Sequence, residues 1–240
     1  MRTIVKSAVA AFASVAALAG AAILFPARPL AGAQQTQSTT SVPVEEEPLH
    51  KVMFKNESVT VIRLVLPPGQ RTLYHSHTHD RIAVDLSATS IKQQKMNEPE
   101  GPATPTKPGN ISALTLTDAS YTHRVHNVGK APYDVLDIEP DHRPIIPAPD
   151  VAAPLAAENP SARVYSWVLA PGATSPMHTH MRPYVIISVT TINLSMTSPD
   201  GQSAAHEVGP GDFRWVDAKV THTVGNVGTT PGQIIEVELK

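Results

Sequence analysis

Past residue 50 the hydrophobic positions come in short bursts bounded by Gly, Pro or Asn. Residues 59–66, 81–90, 133–139, 164–169, 184–196 and 233–239 are rich in β-branched residues, which predicts strands. No stretch beyond the first 33 residues keeps the apolar spacing of a long amphipathic helix. Many short strands with turn signals between them predict an all-β sandwich or barrel. Two stretches break the pattern. Residues 34–43, "QQTQSTTSVP", are polar and aperiodic and read as a flexible tether. Residues 139–160 hold six prolines, which excludes a regular helix or a central strand and reads as a linker, partly packed through Ile145, Ile146 and Leu155.

On either side of that linker the sequence repeats itself. "VIRLVLPPG" (61–69) corresponds to "VYSWVLAPG" (164–172), and "HRVHNVGKAPYDVLDIE" (123–139) to "HTVGNVGTTPGQIIEVE" (222–238). The two blocks keep their order and internal spacing, as a duplication would. The "NVG" at 127–129 and again at 226–228 marks a tight turn between strands, with Asn127 and Asn226 as turn residues.

The histidines follow the repeat. "GQRTLYHSHTHD" places His75 and His77 at alternate positions, and "GATSPMHTHMRP" does the same with His178 and His180. In a strand, residues two apart face one side. Each pair is therefore half of a metal site if that side is the interior, and a polar exposed face if it is not. His123 and His222 follow His77 and His180 by 46 and 42 residues and would supply a third imidazole. Three neutral imidazoles leave positions open on a first-row metal, which suits ligand binding or catalysis. His50, His142 and His206 fall outside the repeat and read as surface residues. The proline-rich insertion 96–110 has no chemistry that can be named.

These residues resemble the cupin superfamily, in particular two-domain bicupins. The family's first motif is G-x5-H-x-H-x3-4-E-x6-G, matched in its first half by "GQRTLYHSH" and "GATSPMHTH". Its second, G-x5-P-x-G-x2-H-x3-N, is matched in spacing by "GDFRWVDAKVTHTVGN", with Asp217 and Lys219 in place of the proline and second glycine. The first copy keeps only His123 and Asn127 of that motif. The resemblance implies two tandem jelly-roll β-barrels, residues 44–140 and 161–240 on either side of a linker at 141–160, each with an interior metal site. It also departs from the pattern. The first motif's glutamate is absent from both copies, where Arg81 or Ile82 and Tyr184 or Val185 stand, so three histidines are expected to hold any metal alone. If the strand is regular, His79 and Arg81 share the inward face of His75 and His77. A guanidinium there disfavours a dication unless an anion lies between them. The first copy is then expected to bind an anion with its metal, to use Asp80 through a bulge, or to have lost the metal. In the second copy Arg182 and Tyr184 share the inward face. Tyr184 reads either as a catalytic candidate that hydrogen-bonds a metal-bound ligand or as a ring filling the barrel mouth.

The N-terminus and the totals add the compartment. Arg2 and Lys6 precede the uncharged run 8–25, and Ala31-Gly32-Ala33 supplies small residues for cleavage after Ala33, the order of a secretory signal. The same run is long enough to serve as an uncleaved anchor. There is no cysteine, so neither a lipid anchor on cysteine nor a disulfide is available, which fits a bacterial periplasmic or secreted protein. The chain carries 19 basic and 21 acidic residues with no basic patch, which speaks against nucleic acid as a partner and against a membrane contact beyond the signal. All 11 histidines lie beyond Ala33.

Two functions follow as expectations. One is an exported, metal-binding bicupin enzyme using Fe, Mn, Ni, Cu or Zn on a small oxygen-rich substrate, enolic or aromatic, as the resemblance to dioxygenases of the quercetinase type implies. The other is a non-catalytic binding protein in which Arg81 and Arg182 anchor a carboxylate or sugar acid. A structural zinc role is a third, weaker reading. Pairing into a homodimer through edge strands is expected of such barrels.

Overall fold

The structure, a computed structural model, describes residues 40–142, 151 and 153–240. The signal segment, most of the tether, Ile145 and Ile146 lie outside these residues. Among the described residues the one helical element is a 3-10 turn, Val44–Glu46, and no helix is long and apolar enough to cross a membrane. The chain enters through a two-residue strand, Val42–Pro43, at the end of the predicted tether, which pairs in parallel with His75 and Ser76.

The first set of strands is β1 His50–Lys55, β2 Val59–Leu66, β3 His75–His77, β4 Arg81–Asp85, β5 Ser90–Lys95, β6 Thr104–Pro105, β7 Ile111–Leu114, β8 Tyr121–Asn127 and β9 Tyr133–Pro140. The second repeats it: β10 Leu155–Glu158, β11 Ala162–Leu169, β12 His178–His180, β13 Tyr184–Ser188, β14 Ile192–Thr197, β15 Ser203–Val208, β16 Phe213–Val216, β17 Val220–Asn226 and β18 Gly232–Leu239. Each set closes two facing sheets. In the first they run β1-β2-β9-β4-β7 and, after Val42–Pro43, β3-β8-β5-β6. In the second they run β10-β11-β18-β13-β16 and β12-β17-β14-β15. This is the tandem jelly roll that the repeat implies.

The predicted strands 81–90 and 184–196 each divide in two, β4 with β5 and β13 with β14. Hydroxyl side chains end them by competing for backbone groups. Ser87 Oγ accepts from Asp134 N, and Thr190 Oγ1 accepts from Gln233 N. The chain then crosses to the opposite sheet. Gly69 and Gly172 take φ of 76° and 77° in the matching turns before β3 and β12, a region open to glycine at little cost. Leu155 lies in edge strand β10 and is 54% exposed, so it does not pack the linker down as expected.

The inner strands are buried on both faces, and their period of two sorts the side chains. From β9, Leu136 and Ile138 face the other barrel, with Val59, Val61, Ile82 and Val84 beside them. They meet Val164, Val185, Ile187, Ile235 and Val237 in one shared core. The alternate residues, Val135, Asp137 and Glu139, turn into the first barrel, and Ile234, Glu236 and Glu238 into the second. That alternation carries carboxylates into both interiors.

Candidate metal centre

In the second barrel, β12 carries His178 and His180, and β17 places His222 directly opposite His178. β18 adds Glu236. The Nε2 atoms of His178 and His180 stand 3.4 and 3.5 Å from Glu236 Oε2, and His222 Nε2 stands 3.4 Å from Oε1. All four ligand atoms lie within 4.8 Å of one another in a buried position. Donor atoms bound about 2.1 Å from one ion stand roughly 3.0–3.4 Å apart, so the spacing fits a shared cation.

The outward-facing atoms of these residues are held. His178 Nδ1 donates to Pro176 O at 2.9 Å, which leaves its Nε2 as the inward lone pair. His180 Nδ1 meets Glu238 Oε2 at 2.6 Å, and Glu236 Oε2, which also faces His178 and His180, accepts from Trp167 Nε1 at 2.8 Å. The inward-facing atoms are not held: Nε2 of His178, His180 and His222 and Oε1 of Glu236 are buried without a hydrogen-bond partner. Four orphaned polar atoms converging on one point is costly unless a cation satisfies them. The residues therefore fit a divalent metal, with outer groups orienting each ligand. Burial works to raise the Glu236 carboxyl, but the three imidazoles turned towards it outweigh that and hold it well below the ordinary range. Burial works to lower His180, yet Glu236 and Glu238 raise it to about 9.

This corrects the expectation that histidines alone would hold the metal. The carboxylate comes from the last strand rather than from the position four or five residues after the second histidine. The signal was in the sequence: "EVE" places two acids at alternate positions in a predicted strand, in step with "DIE" in the first copy.

Tyr184 is fully buried, with its ring 3.9 Å from that of His180. Its hydroxyl lies 3.5 Å from His222 Nδ1, the nitrogen on the far side of the ring from Glu236. Burial raises its phenol above the ordinary value, which keeps it protonated. Tyr184 thus touches the ligands rather than the centre between them. Arg182 lies in the bend between β12 and β13, outside the ligand group. β12 and β13 belong to different sheets, so the parity that put Arg182 on the inward face does not carry across the bend. Between β13 and β16 on one side and β14 and β15 on the other is a cavity of about 160 Å³, and Ile186 in its lining is the register partner of Glu236. Ile186, Leu194, Met196, Val208 and Phe213 line it, with His206 and Arg214.

In the first barrel His75, His77 and His123 also converge within 4.8 Å. His75 Nδ1 donates to Leu73 O at 3.0 Å, His77 Nδ1 meets Glu139 Oε1 at 2.5 Å, and His123 Nδ1 meets Gln93 Oε1 at 3.2 Å. Burial lowers His75 to about 3 and keeps His77 and His123 well below the usual imidazole range. Burial, then Asp137, raise Glu139 to about 8. Arg81 does turn inward, but Asp137 takes its guanidinium, with Nη1 3.3 Å from the carboxylate. Asp80 does not reach the cluster: its oxygens accept from Leu116 N and from Ser161 Oγ of the second barrel. His79 sits at the rim, 38% exposed. His50 is buried rather than on the surface, with its ring 4.4 Å from His75 and Nδ1 2.6 Å from Glu47.

Comparison with known proteins agrees with this arrangement. The cupin domain model matches residues 165–238, the second barrel with its four ligand residues. A β-alanine degradation protein, BauB of Pseudomonas aeruginosa, is 31% identical over 93 residues, covering 38% of this chain and 96% of the relative. Among solved structures, AerE from Microcystis aeruginosa aligns with 81% of this chain and 98% of its own, at a TM-score of 0.55 and 14% identity. A variant of Bacillus subtilis oxalate decarboxylase covers 76% of this chain and 69% of its own, at a TM-score of 0.51 and 13% identity. With the duplicated jelly roll and the spacing of its histidines, these matches establish that the chain belongs to the cupin superfamily.

Proposed function

We propose that the protein is an exported, metal-dependent cupin enzyme whose second barrel acts on a small oxygen-rich substrate, enolic or aromatic, by oxygenase-type chemistry. One observation carries the reading: four buried ligand atoms, three imidazole Nε2 and Glu236 Oε1, converge with no hydrogen-bond partner among the described residues. His178, His180, His222 and Glu236 would hold a divalent Fe, Mn, Ni, Cu or Zn ion. Such an ion supplies a Lewis acid that polarises a substrate oxygen. The chain's own residues supply the rest. Trp167 and Glu238 fix the orientation of Glu236 and His180, and Tyr184 supports the His222 and His180 rings. The apolar wall of Ile186, Leu194 and Met196 suits a compact ring or enol, and Arg214 at the exposed rim suits an acidic oxygen on it. Bacillus subtilis oxalate decarboxylase has Mn(II) centres, which supports Mn among the candidates.

The test is metal content and oxygen uptake of the protein from Gln34 onward, supplied in turn with Fe(II), Mn(II), Ni(II), Cu(II) and Zn(II), against a flavonol, a β-diketone and oxalate. Metal-dependent turnover that disappears in Glu236→Gln and in His178→Ala/His180→Ala is expected. A native protein that binds none of the five metals sinks the proposal. Export is supported by the residue order of 1–33 and is checked by cell fractionation with N-terminal sequencing. A start at Gln34 is expected, and a start at Met1 in a membrane fraction would make the segment an anchor. Association into a homodimer is checked by light scattering.

The second reading, a non-catalytic carboxylate or sugar-acid binder, is favoured by the interior Arg81 of the first barrel. It predicts ligand binding that persists after chelation.

A further inference from the structure

The two barrels match register for register. His75 faces His123 as His178 faces His222. Asp137 lies opposite Ala83, and Glu236 opposite Ile186, so both carboxylates occupy one slot on the last strand. Arg81 and Tyr184 open the strand after the bend, opposite Leu114 and Val216. Leu64 stands opposite Val135 where Trp167 stands opposite Ile234.

Those shared slots are filled with different chemistry. In the second barrel Trp167 donates to Glu236 Oε2 and holds the carboxylate facing the imidazoles, with Oε2 towards His178 and His180 and Oε1 towards His222. In the first, Leu64 has no donor, and Asp137 is a methylene shorter than glutamate. Its carboxylate is drawn to Arg81, 3.3 Å away, so among the described residues no carboxylate joins the three histidines as a fourth ligand. The imidazoles themselves are spaced as ligands of one ion would be, with His77 Nε2 3.1 Å from His123 Nε2, so the difference between the barrels lies in the carboxylate slot. Arg81 itself is nearly enclosed, and its field reaches all three imidazoles. A guanidinium remains charged at any working pH, so it keeps Asp137 committed to itself and away from any dication.

We propose that the first barrel takes no metal, that Arg81 is the fixed cation standing in for one, and that the chain carries a single transition-metal ion in the second barrel. The inference rests on the metal reading of the second barrel for its count of one, and on the Arg81–Asp137 pair for the exclusion.

The experiment equilibrates the protein from Gln34 onward with excess Co(II), removes free ion by gel filtration and counts cobalt per chain by mass spectrometry. Each variant is first checked for a cooperative melt. One ion per native chain is expected, unchanged in His75→Ala/His77→Ala and lost in His178→Ala/His180→Ala. In the latter background, Arg81→Tyr with Asp137→Glu and Leu64→Trp rebuilds the second barrel's set and is expected to restore one ion. Two ions in the native chain, or loss of the ion with the first histidine pair, overturns the inference. If the rebuilt variant fails to fold, the comparison of the two histidine pairs decides. A native chain that takes up no ion overturns the proposed function instead. The role of Arg81 then stands if the rebuilt barrel gains an ion and falls if a folded rebuilt barrel does not.

Discussion

Trp167 gives Glu236 its hydrogen bond at 2.8 Å while its ring stacks on His178 at 5.3 Å. Phenylalanine can keep the second contact but not the first. Trp167→Phe is therefore expected to weaken metal affinity roughly 10- to 100-fold, the usual cost of losing a group that orients a ligand. Competition with a chromogenic chelator measures it. An unchanged affinity would mean that the carboxylate needs no anchor. A second residue-scale effect sits at Lys219, which holds φ at 65° where the family's motif has glycine, while its N–H donates to His180 O. A lysine in the left-handed region costs about 1–2 kcal/mol, partly offset by the greater unfolded-state freedom of glycine. Lys219→Gly should thus raise stability by about 0.5–1 kcal/mol in urea titration. A drop would mean that the lysine side chain makes a contribution larger than this strain.

At the scale of elements, the segment before β1 is fastened to the first barrel by the pairing of Val42–Pro43 with β3 and by the carboxylate of Glu47. Glu47 accepts from Leu73 N and from Leu49 N, and meets His50 Nδ1. Burial works to raise its pKa, but the hydrogen bond from His50 and those from the backbone lower it to about 2. A depressed folded-state value means that the stabilisation is complete above the unfolded value near 4.5 and is lost as pH falls towards 2. Glu47→Gln should cost at most about 3 kcal/mol at pH 7, and the gap from the native protein should close between pH 5 and 2. Melting curves across that range check it, and a gap independent of pH would assign the effect to packing. The turns after β8 and β17 make a matched pair. Asn127 Nδ2 donates to Leu66 O and Ala131 O, Asn226 Nδ2 to Leu169 O and Thr230 O, and each Oδ1 accepts from the glycine two residues on. The turn role expected of both asparagines is what the side chains perform.

For the whole molecule, the shared core between the barrels governs how it unfolds. Leu136 and Ile138 of one barrel and Ile187 and Val237 of the other are fully buried in a single cluster. Each barrel also has a smaller cluster of its own, but opening either one exposes the shared cluster of the other, so one cooperative transition is expected. Leu136→Ala should cost about 2–5 kcal/mol and move that one transition without splitting it. Metal bound in the second barrel should raise the melting temperature reported from the first as well. Two resolved calorimetric transitions would show that the barrels fold independently.

The sequence alone determined the repeat, the all-β class and the six histidines, because these are local patterns: period two, turn residues and constant spacing. It also contained Glu236, as an acid alternating with apolar residues in a strand, though nothing local marks that acid as a ligand. The tertiary structure decided the rest. The bends at 78–80 and 181–183 carry the chain between sheets, so parity could not be counted across them, and Arg182 left the site while Tyr184 moved behind a ligand. Pairing of the last strand with the strand after the bend chose which acid meets the imidazoles and which meets Arg81. Glu236 meets His178 and His180, and Asp137 meets Arg81, across more than fifty positions, and only the folded sheet brings them within reach of one another.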